Sequence, residues 1–395
     1  MKILFISLHN PNSIGVNKKV LQQVSFFEKS GFEIKALLIN PNYKETKTEG
    51  VIQFIKMDKI PKISPIFKRR YFRNFQDYVF QNAFNNLLFD ELEKYVKKET
   101  FEAIYYRYTF ANFPLVKFAK RYKNKLILEP NTQEIDELKL GILQDSGLRY
   151  NLLIEKHFVK SLFRNSLFGV AVTNEIKNYE NERAGFTYCN FIYKNPIKIE
   201  NFTPRQINQN KKYTLSILIG SYDEWHGLDL LCDAIIKNKK VNFYKLIYIG
   251  NKTEEVERIC KGIDVEFVGK QDQHGVKKYL TESDITVGSL APQRVNIYEL
   301  SSLKSREYMA MGIPFIIGCP DTAFEGKDEE IMKYVRVMDF VNDPNALKEV
   351  EDFVTFVRSK RDHPIAMYNY AKENLDYKPI FNSLKGHLEE TLNVI

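Results

Sequence analysis

Short apolar runs alternate with segments of helical period in the first half of the chain. Lys2–Leu8 is a β-rich apolar run, and in Val16–Ser30 the residues Val20, Val24 and Phe27 fall on one face of a helix. Further strands are predicted at Phe32–Ile39, Phe101–Tyr108, Lys125–Leu128 and Leu167–Val172. Strands that alternate with helices in this way predict a parallel sheet covered on both faces.

A second series with the same rhythm begins near Tyr213. Its strands are predicted at Leu215–Ile219, Lys245–Ile249, Val265–Val268, Asp284–Gly288 and Pro314–Ile317. Helices are predicted between them at Leu228–Asn238, Glu254–Lys261, Val276–Glu282 and Ser302–Met311. The predicted fold class is therefore α/β, with two tandem Rossmann-like, doubly wound domains facing a cleft.

The boundary between the two series is predicted near residue 200. The polar stretch Lys198–Lys212 follows Asn195-Pro196 and lacks apolar periodicity, which is typical of a linker. The predicted domains are 1–200 and 201–377. A last helix near Lys378–Leu392, within 378–395, is a candidate to cross back to the first domain.

Length and composition are those of a globular enzyme. The 395 residues are 44% apolar and 27% charged, which excludes a disordered or fibrous protein, and no apolar run is long enough for a membrane span. The four cysteines include no C-x-x-C pair, so they favour neither a zinc site nor a disulfide framework and fit a reducing cytoplasm. The net charge of +8 permits an anionic partner.

The segment Tyr298–Pro314, with the sequence YELSSLKSREYMAMGIP, carries the strongest candidate chemistry. Ser301 or Ser302 can cap a helix at this point. That helix leaves Glu299 in the loop before it and places Glu307 in its second turn.

Two cations, Lys304 and Arg306, fall in the first turns of this predicted helix. The helix dipole disfavours cations at that end unless an anion offsets them. A diphosphate supplies such a charge, while a carboxylate nearby accepts hydrogen bonds from the vicinal hydroxyls of a ribose or a hexose. The pattern therefore favours a ligand that contains both groups.

In these residues the chain resembles the retaining glycosyltransferases of the GT-B fold, of the glycosyltransferase family 4-like type, a group with many bacterial lipopolysaccharide and capsule enzymes. The E-x7-E pattern of that family falls on Glu299 and Glu307, and its E-[AY]-M-A-x-G-x-P motif is matched by Glu307–Pro314. Other family elements are similar to Gly220–Leu231 (GSYDEWHGLDLL), Phe267–Gly269 and Val287–Ser289. These elements occur in the family's order over most of the chain.

The resemblance implies that the two motif glutamates bind a nucleotide-diphosphate sugar. Glu307 is expected to bind the ribose, and Glu299 to lie against the donor sugar and the diphosphate. The donor-binding candidates are Glu307, Ser221, His226, Gly250, Ser301, Ser302 and Leu303, and the catalytic candidates are Glu299, Lys304, Arg306 and His9.

The chain departs from the family at two positions that normally carry positive charge. Relatives usually have Arg or Lys where this chain has Ser221, and Lys where it has His226. Lys304 and Arg306, together with the helix N-terminus, are therefore expected to carry more of the charge stabilisation of the leaving diphosphate.

The acceptor side is expected in the first domain, at residues that follow its strands. The candidates are Gly15, Arg107 and Glu129. Relatives often carry paired glycines in the loop where this chain has only Gly15, whereas the segments that hold Arg107 and Glu129 are similar to segments of bacterial relatives.

The resemblance also implies the reaction. An acceptor hydroxyl attacks the anomeric carbon with retention, and the departing diphosphate assists its deprotonation, so that catalysis consists of positioning and electrostatic stabilisation. The chain contains no D-x-D motif, so neither a bound divalent metal nor any other cofactor is expected. The acceptor is expected to be a saccharide or a lipid-linked saccharide.

The segment Lys56–Phe75 holds seven basic residues against the single acid Asp58, with Phe67 and Tyr71 at helical spacing. Such a segment suits an anionic membrane surface, although an ordinary amphipathic helix packed on the core fits equally well. The expected location is cytoplasmic, with peripheral attachment to the inner face of the plasma membrane. Nucleic acid is not an expected partner, because no recognised binding module accompanies the segment.

Two other functions fit the same pattern. A sugar-nucleotide epimerase or hydrolase of this fold would need its own acid and base carboxylates, and no second acidic cluster is evident in the sequence. A non-catalytic binding partner of a true transferase is the other alternative, for which the departures at Ser221 and His226 are the best argument.

Overall fold

The computed structural model describes residues 1–8, 14–40, 43, 45–56, 73–144, 148–207, 210–324 and 329–393. The chain forms two compact units. The first contains Met1–Tyr193 together with Phe381–Ile395, and the second contains Lys194–Ile380. Each unit is built around a sheet of its own.

In the described part of the first unit, the sheet has eight strands in the order β3-β4-β2-β1-β5-β6-β7-β8. They are β1 (Lys2–Leu8), β2 (Glu33–Asn40), β3 (Lys47–Glu49), β4 (Ile52–Lys56), β5 (Ala103–Arg107), β6 (Leu126–Glu129), β7 (Phe168–Ala171) and β8 (Cys189–Ile192). All neighbours pair in parallel except β3 and β4, which are antiparallel. The strands predicted for this half are confirmed, and β3, β4 and β8 are additions.

Helices cover this sheet. They are α1 (Ile14–Lys29), α2 (Arg73–Lys98), α3 (Phe113–Arg121), α4 (Glu134–Gln144), α5 (Leu148–Arg164) and α6 (Asn174–Ala184). Local sequence explains where some of them begin and end: Asn112 caps α3 by accepting a hydrogen bond from the Leu115 amide, and Gly185 ends α6 with a left-handed backbone. The central strand β1 is fully buried at Ile3 and Ile6, as the apolar run predicts.

The second unit has a parallel sheet, with six strands among its described residues in the order β11-β10-β9-β12-β13-β14. They are β9 (Tyr213–Ile219), β10 (Tyr244–Gly250), β11 (Val265–Gly269), β12 (Ile285–Val287), β13 (Phe315–Ile317) and β14 (Val335–Val337). Its helices are α7 (Leu228–Lys237), α8 (Glu254–Ile259), α9 (Gln273–Thr281), α10 (Leu303–Ala310), α11 (Glu329–Met332), α12 (Ala346–Ser359) and α13 (His363–Asn374). Every strand and helix predicted for this half is confirmed within a few residues.

The stretch predicted as a linker belongs to the second unit. Ile199 and Phe202 are buried in its hydrophobic core. Arg205 is also buried, and its guanidinium donates hydrogen bonds to the backbone carbonyls of Ser283 and Asp284. The connecting segment is therefore packed at these residues, because the apolar side chains of Ile199 and Phe202 are enough to anchor a short polar stretch.

The last helix, α14 (Tyr377–Asn393), passes from the second unit into the first. Its Phe381 is fully buried and packs edge-on against Phe27 of α1 and against Tyr193, at ring centroid distances of 4.9 and 5.5 Å. Among the helices of the described residues, none is long and apolar enough to cross a membrane.

Candidate functional site

The strand order of the second unit reverses between β9 and β12, which lie side by side although three helices and two strands separate them along the chain. Ligands of open α/β sheets bind beyond the carboxyl ends of the strands at such a point. The loops after the two strands are tied together there: the Trp225 carbonyl accepts a hydrogen bond from the Ala291 amide at 3.1 Å, and the His226 carbonyl accepts one from the Leu290 amide at 3.0 Å. These two hydrogen bonds join the loops at the point where a ligand crevice is expected.

The helix predicted from the glutamate motif is α10, and it starts beside this crevice. Ser302 is its N-cap residue but makes no capping hydrogen bond with its side chain. The first amide N–H groups of a helix have no acceptor within the helix itself, so they can donate hydrogen bonds to an anionic ligand. Glu299 lies in the preceding loop and Glu307 in the second turn, as predicted, and both are half-buried.

Among the residues that the structure describes, Arg306 has the largest side chain that is fully buried. Its guanidinium makes five hydrogen bonds, all to oxygen atoms of the protein. The acceptors are the Asn195 carbonyl (2.6 Å), the Ser302 carbonyl (2.8 Å), Asp321 Oδ1 (2.6 Å), Ser301 Oγ (3.1 Å) and Thr322 Oγ1 (2.9 Å).

This network uses the complete hydrogen-bonding capacity of Arg306, since a guanidinium has five N–H groups. None is left to donate to a phosphate. The network instead holds the loop that precedes α10, because Asp321 also accepts a hydrogen bond from the Ser302 amide at 3.2 Å. The side chain of Ser301 is enclosed in the same network.

Lys304 lies in the first turn of α10, and its ammonium reaches the carboxyl end of β9. Its Nζ donates a hydrogen bond to the Leu218 carbonyl at 2.6 Å. Burial lowers the pKa of this ammonium to about 8, against the opposing influence of Glu307. Lys304 is thus a half-buried cation at the end of β9, and within the described residues its three N–H groups make one hydrogen bond to the protein.

The two positions at which the sequence departs from its relatives lie in the loop after β9. Ser221 is exposed, and His226 is buried with its ring stacked on Trp225 at a centroid distance of 4.1 Å. Burial, together with the nearby charge of Lys304, lowers the pKa of His226 to about 4. The imidazole is therefore neutral at physiological pH, and neither position supplies a positive charge.

Gly250 ends β10 at a point where no side chain fits. Its backbone has a φ of +152°, and a Cβ atom built there would lie 1.7 Å from the Ile219 carbonyl oxygen. Glycine at this position therefore lets the ends of β9 and β10 approach each other at the edge of the crevice.

We expect Gly250→Ala to lower the free energy of unfolding by about 1–3 kcal/mol, because the methyl group forces the strand ends apart. Gly220→Ala is a matched control, since a Cβ atom at Gly220 meets nothing within 4 Å and its φ is unstrained. Thermal melting of both variants checks this. Equal melting temperatures would contradict the steric role of Gly250.

Two of the acceptor-side candidates of the first unit, Glu129 and Arg107, lie at the carboxyl ends of its strands. Glu129 ends β6 and is fully buried, where it accepts a hydrogen bond of 2.6 Å from the Tyr105 hydroxyl. Burial would raise the pKa of Glu129, but Lys19 and Arg107 lower it below its ordinary value. Arg107 ends β5 half-buried, and its Nη1 has no hydrogen-bond partner among the described residues.

Two further predicted sites cannot be placed in the same way. His9 and most of the basic segment Lys56–Phe75 lie outside the described residues. Gly15 lies in the first turn of α1. Among the residues that the structure describes, no group of three or more His, Cys, Asp or Glu side chains is arranged to hold a metal ion.

Sequence reasoning missed the residues that support the site. Asp321 and Asn195 bind Arg306 from positions that no motif connects with it. Arg294 donates hydrogen bonds to both carboxylate oxygens of Asp229, at 3.0 and 2.8 Å, and one to the Glu224 carbonyl, which braces the loop after β9. No local signal in the sequence marks these pairs, because each joins residues that are far apart in the chain.

A family model matches part of the second unit. Residues 214–352, which lie wholly within that unit, match the family described as "Glycosyl transferases group 1". The matched range includes both motif glutamates, Lys304 and Arg306. No curated protein matches the chain at a significant level.

Solved structures resemble the whole chain. A sucrose-phosphate synthase from Thermosynechococcus elongatus covers 100% of both chains with a TM-score of 0.66 at 14% identity. The HepE protein of Anabaena in complex with UDP and glucose covers 99% of this chain and 100% of its own, with a TM-score of 0.60 at 12% identity. The lipopolysaccharide outer core galactosyltransferase WaaB covers 97% and 98%, with a TM-score of 0.59 at 14% identity. The fold of the chain is thus GT-B, as predicted.

Proposed function

We propose that this chain, a nucleotide-sugar-dependent glycosyltransferase of group 1 with the GT-B fold, moves a hexosyl group from a nucleotide-diphosphate sugar to an acceptor hydroxyl with retention of the anomeric configuration. The observation that carries the proposal is the arrangement of Glu299, Lys304 and Glu307 around the start of α10, beside the carboxyl end of β9. This arrangement offers a diphosphate a cation and a helix N-terminus, and it offers sugar hydroxyls two carboxylates.

In the proposed complex, the diphosphate lies at the first amides of α10, at Leu303 and beyond, and the Lys304 ammonium neutralises its charge. Glu307 accepts hydrogen bonds from the ribose hydroxyls, and Glu299 from the donor sugar. Arg306 acts as a positioning residue, since its N–H groups are all used to hold Ser301 and Ser302. Ser221, His226 and Gly250 are proposed to line the donor side, where the absence of a side chain at Gly250 lets the ends of β9 and β10 approach each other.

The proposed reaction needs no dedicated base. The bond between the anomeric carbon and the diphosphate oxygen breaks, and a bond from the acceptor oxygen to the same face of that carbon forms. The acceptor proton passes to an oxygen of the departing diphosphate. Lys304 and the helix N-terminus stabilise the negative charge that develops on that group, and they are preorganised before the reaction starts.

The acceptor is proposed to be a saccharide or a lipid-linked saccharide that is used in the assembly of a bacterial surface polysaccharide. The likeness to a lipopolysaccharide galactosyltransferase supports this setting, and the likeness to a protein bound to UDP and glucose supports a uridine donor. Acceptor contacts are proposed at Gly15 and Arg107 of the first unit, with Glu129 acting through Arg107. The proposed location is the cytoplasmic face of the membrane, with Lys56–Phe75 in contact with anionic lipid.

A nucleotide panel tests the donor assignment. We expect UDP and a UDP-hexose to raise the melting temperature more than the guanosine, adenosine and cytidine diphosphates, because a ligand that binds only the folded state stabilises it. We expect Glu307→Gln to weaken UDP binding about tenfold, since hydrogen bonds to a charged group contribute about 1.5–3 kcal/mol. Glu349→Gln, an exposed position on α12, serves as the control.

One outcome of this panel, and one outcome of an assay of the reaction products, would contradict the proposal. If no nucleoside diphosphate shifted the melting temperature, the donor site would be wrong. If the protein released free sugar or an epimerised nucleotide sugar from the donor at the same rate with and without added acceptors, the function would be that of a hydrolase or an epimerase.

A further inference from the structure

One face of the first unit is strongly basic over its exposed surface. The helix α5 exposes Arg149, Tyr150, Leu153, Lys156, His157, Lys160 and Arg164 to solvent. At 3.6 residues per turn these positions fall on one side of the helix, within an arc of about 120°. Four of them carry a positive charge, and none is an acid.

The charge on this side of α5 is not offset from within the helix. Its acidic residue, Glu155, points into the core, where the Tyr108 hydroxyl donates a hydrogen bond to it at 2.5 Å and Arg183 forms an ion pair with it. The helix therefore separates its charges, with the carboxylate buried and paired and the cations exposed.

The neighbouring helix α3 extends the basic surface. It packs against α5 through Phe113, whose ring lies 6.0 Å from that of Phe158. It exposes Lys117 and Lys120, and Lys123 follows directly after its end. We call the exposed residues of the two helices the α3–α5 face. They are Phe113, Lys117, Lys120, Lys123, Arg149, Tyr150, Leu153, Lys156, His157, Lys160 and Arg164.

The seven lysines and arginines of the α3–α5 face form no ion pair with any carboxylate in the described ranges of the chain. Other surface cations nearby do: Arg121 and Lys97 both pair with Glu93 of α2. Among the described residues, the α3–α5 face thus concentrates positive charge that no carboxylate offsets, which favours an anionic partner.

Apolar side chains lie among these charges and indicate which kind of anionic partner fits. Leu153 is 64% exposed and Phe113 is 57% exposed. A lipid bilayer accepts both features, since basic residues attract anionic headgroups while apolar side chains enter the boundary of the acyl chains. Duplex nucleic acid would pair with the cations through its phosphates but would leave Leu153 in contact with water or charge.

We propose that the α3–α5 face binds the surface of a bilayer rich in anionic lipid. This interaction surface shares no residue with the proposed donor site or with the segment Lys56–Phe75. It does not depend on the glycosyl transfer proposed above.

Flotation of the full chain with vesicles tests the proposal. We expect binding to vesicles of phosphatidylcholine and phosphatidylglycerol in equal parts at about 50 mM salt, and little binding to phosphatidylcholine alone. The variant R149Q/K156Q/K160Q/R164Q should partition at least about tenfold more weakly, since each basic residue near the surface contributes about fivefold. The double variant F113S/L153S should lose the part of the binding that resists about 0.5 M salt.

A matched variant on the second unit, K237Q/K261Q/K278Q/K372Q, removes the same charge from exposed positions and should bind anionic vesicles like the unchanged protein. Unchanged melting temperatures and UDP binding in all variants would show that fold and donor site are intact. The proposal is overturned if the α5 variant binds anionic vesicles as well as the unchanged protein does. It is also overturned if the unchanged protein binds a DNA duplex but no vesicle.

Discussion

Replacement of Lys304 by methionine is expected to lower kcat/KM for the nucleotide sugar by about 10²–10³, which is the usual effect of removing one preorganised group that stabilises a developing negative charge. Lys304 is the cation that the structure places at both the helix N-terminus and the end of β9, while His226 is neutral and Ser221 carries no charge. Steady-state release of the nucleoside diphosphate measures the effect. Methionine keeps the length of the side chain, so the core around α10 should stay packed.

The pH dependence of the unchanged enzyme provides a second measurement for Lys304. The ammonium is charged below its pKa of about 8 and neutral above it, so kcat/KM should fall as the pH rises through 8. The titration of Lys304 cannot cause this fall in kcat/KM by unfolding the protein. Because the pKa is lower in the folded than in the unfolded protein, titration of Lys304 makes the folded state more stable as the pH rises from 8 toward 10.5.

Two variants separate charge from packing. Lys304→Arg keeps the charge at high pH, so the fall of kcat/KM above pH 8 should disappear even if the absolute rate is lower. Lys348→Met, at an exposed position on α12, controls for the loss of a lysine in general. Unchanged turnover and donor affinity in Lys304→Met would show that the charge of the leaving diphosphate is stabilised elsewhere.

The parts of the fold that the sequence predicts are those whose burial leaves a local pattern. The strands β1 and β9 are mostly apolar because helices cover both faces of a parallel sheet. In contrast, β3 is exposed at all three positions, and β14 is three residues long with two of them exposed, so neither produces an apolar run. Such short edge strands are defined by their pairing with a neighbouring strand. A single sequence does not show which strands pair.

The same distinction applies to the candidate site. The start of α10 and the positions of Glu299 and Glu307 on either side of it follow from a compact motif of serine, glutamate, glycine and proline. The difference between Lys304 and Arg306 does not follow from it, because both are cations in the first turns of one helix. Folding brings the Leu218 carbonyl to Lys304 and the Asp321 carboxylate to Arg306. These different partners give the two residues different roles.

Replacement of Arg306 by methionine should therefore act first on stability. We expect a loss of about 3–5 kcal/mol, because the change leaves the fully buried carboxylate of Asp321 without its counterion. Thermal or denaturant unfolding measures this. The double variant Arg306→Met with Asp321→Asn should recover part of the loss, since it removes the buried charge as well.

Catalysis by the double variant then distinguishes a positioning residue from one that touches the diphosphate. The five hydrogen bonds of Arg306 hold the loop that precedes α10, so the double variant should bind UDP more weakly even at a temperature where it is fully folded. The pH dependence set by Lys304 should stay the same, because Arg306 does not supply the charge at the crevice. A melting temperature of Arg306→Met equal to that of the unchanged protein would show that the buried pair does not hold this loop.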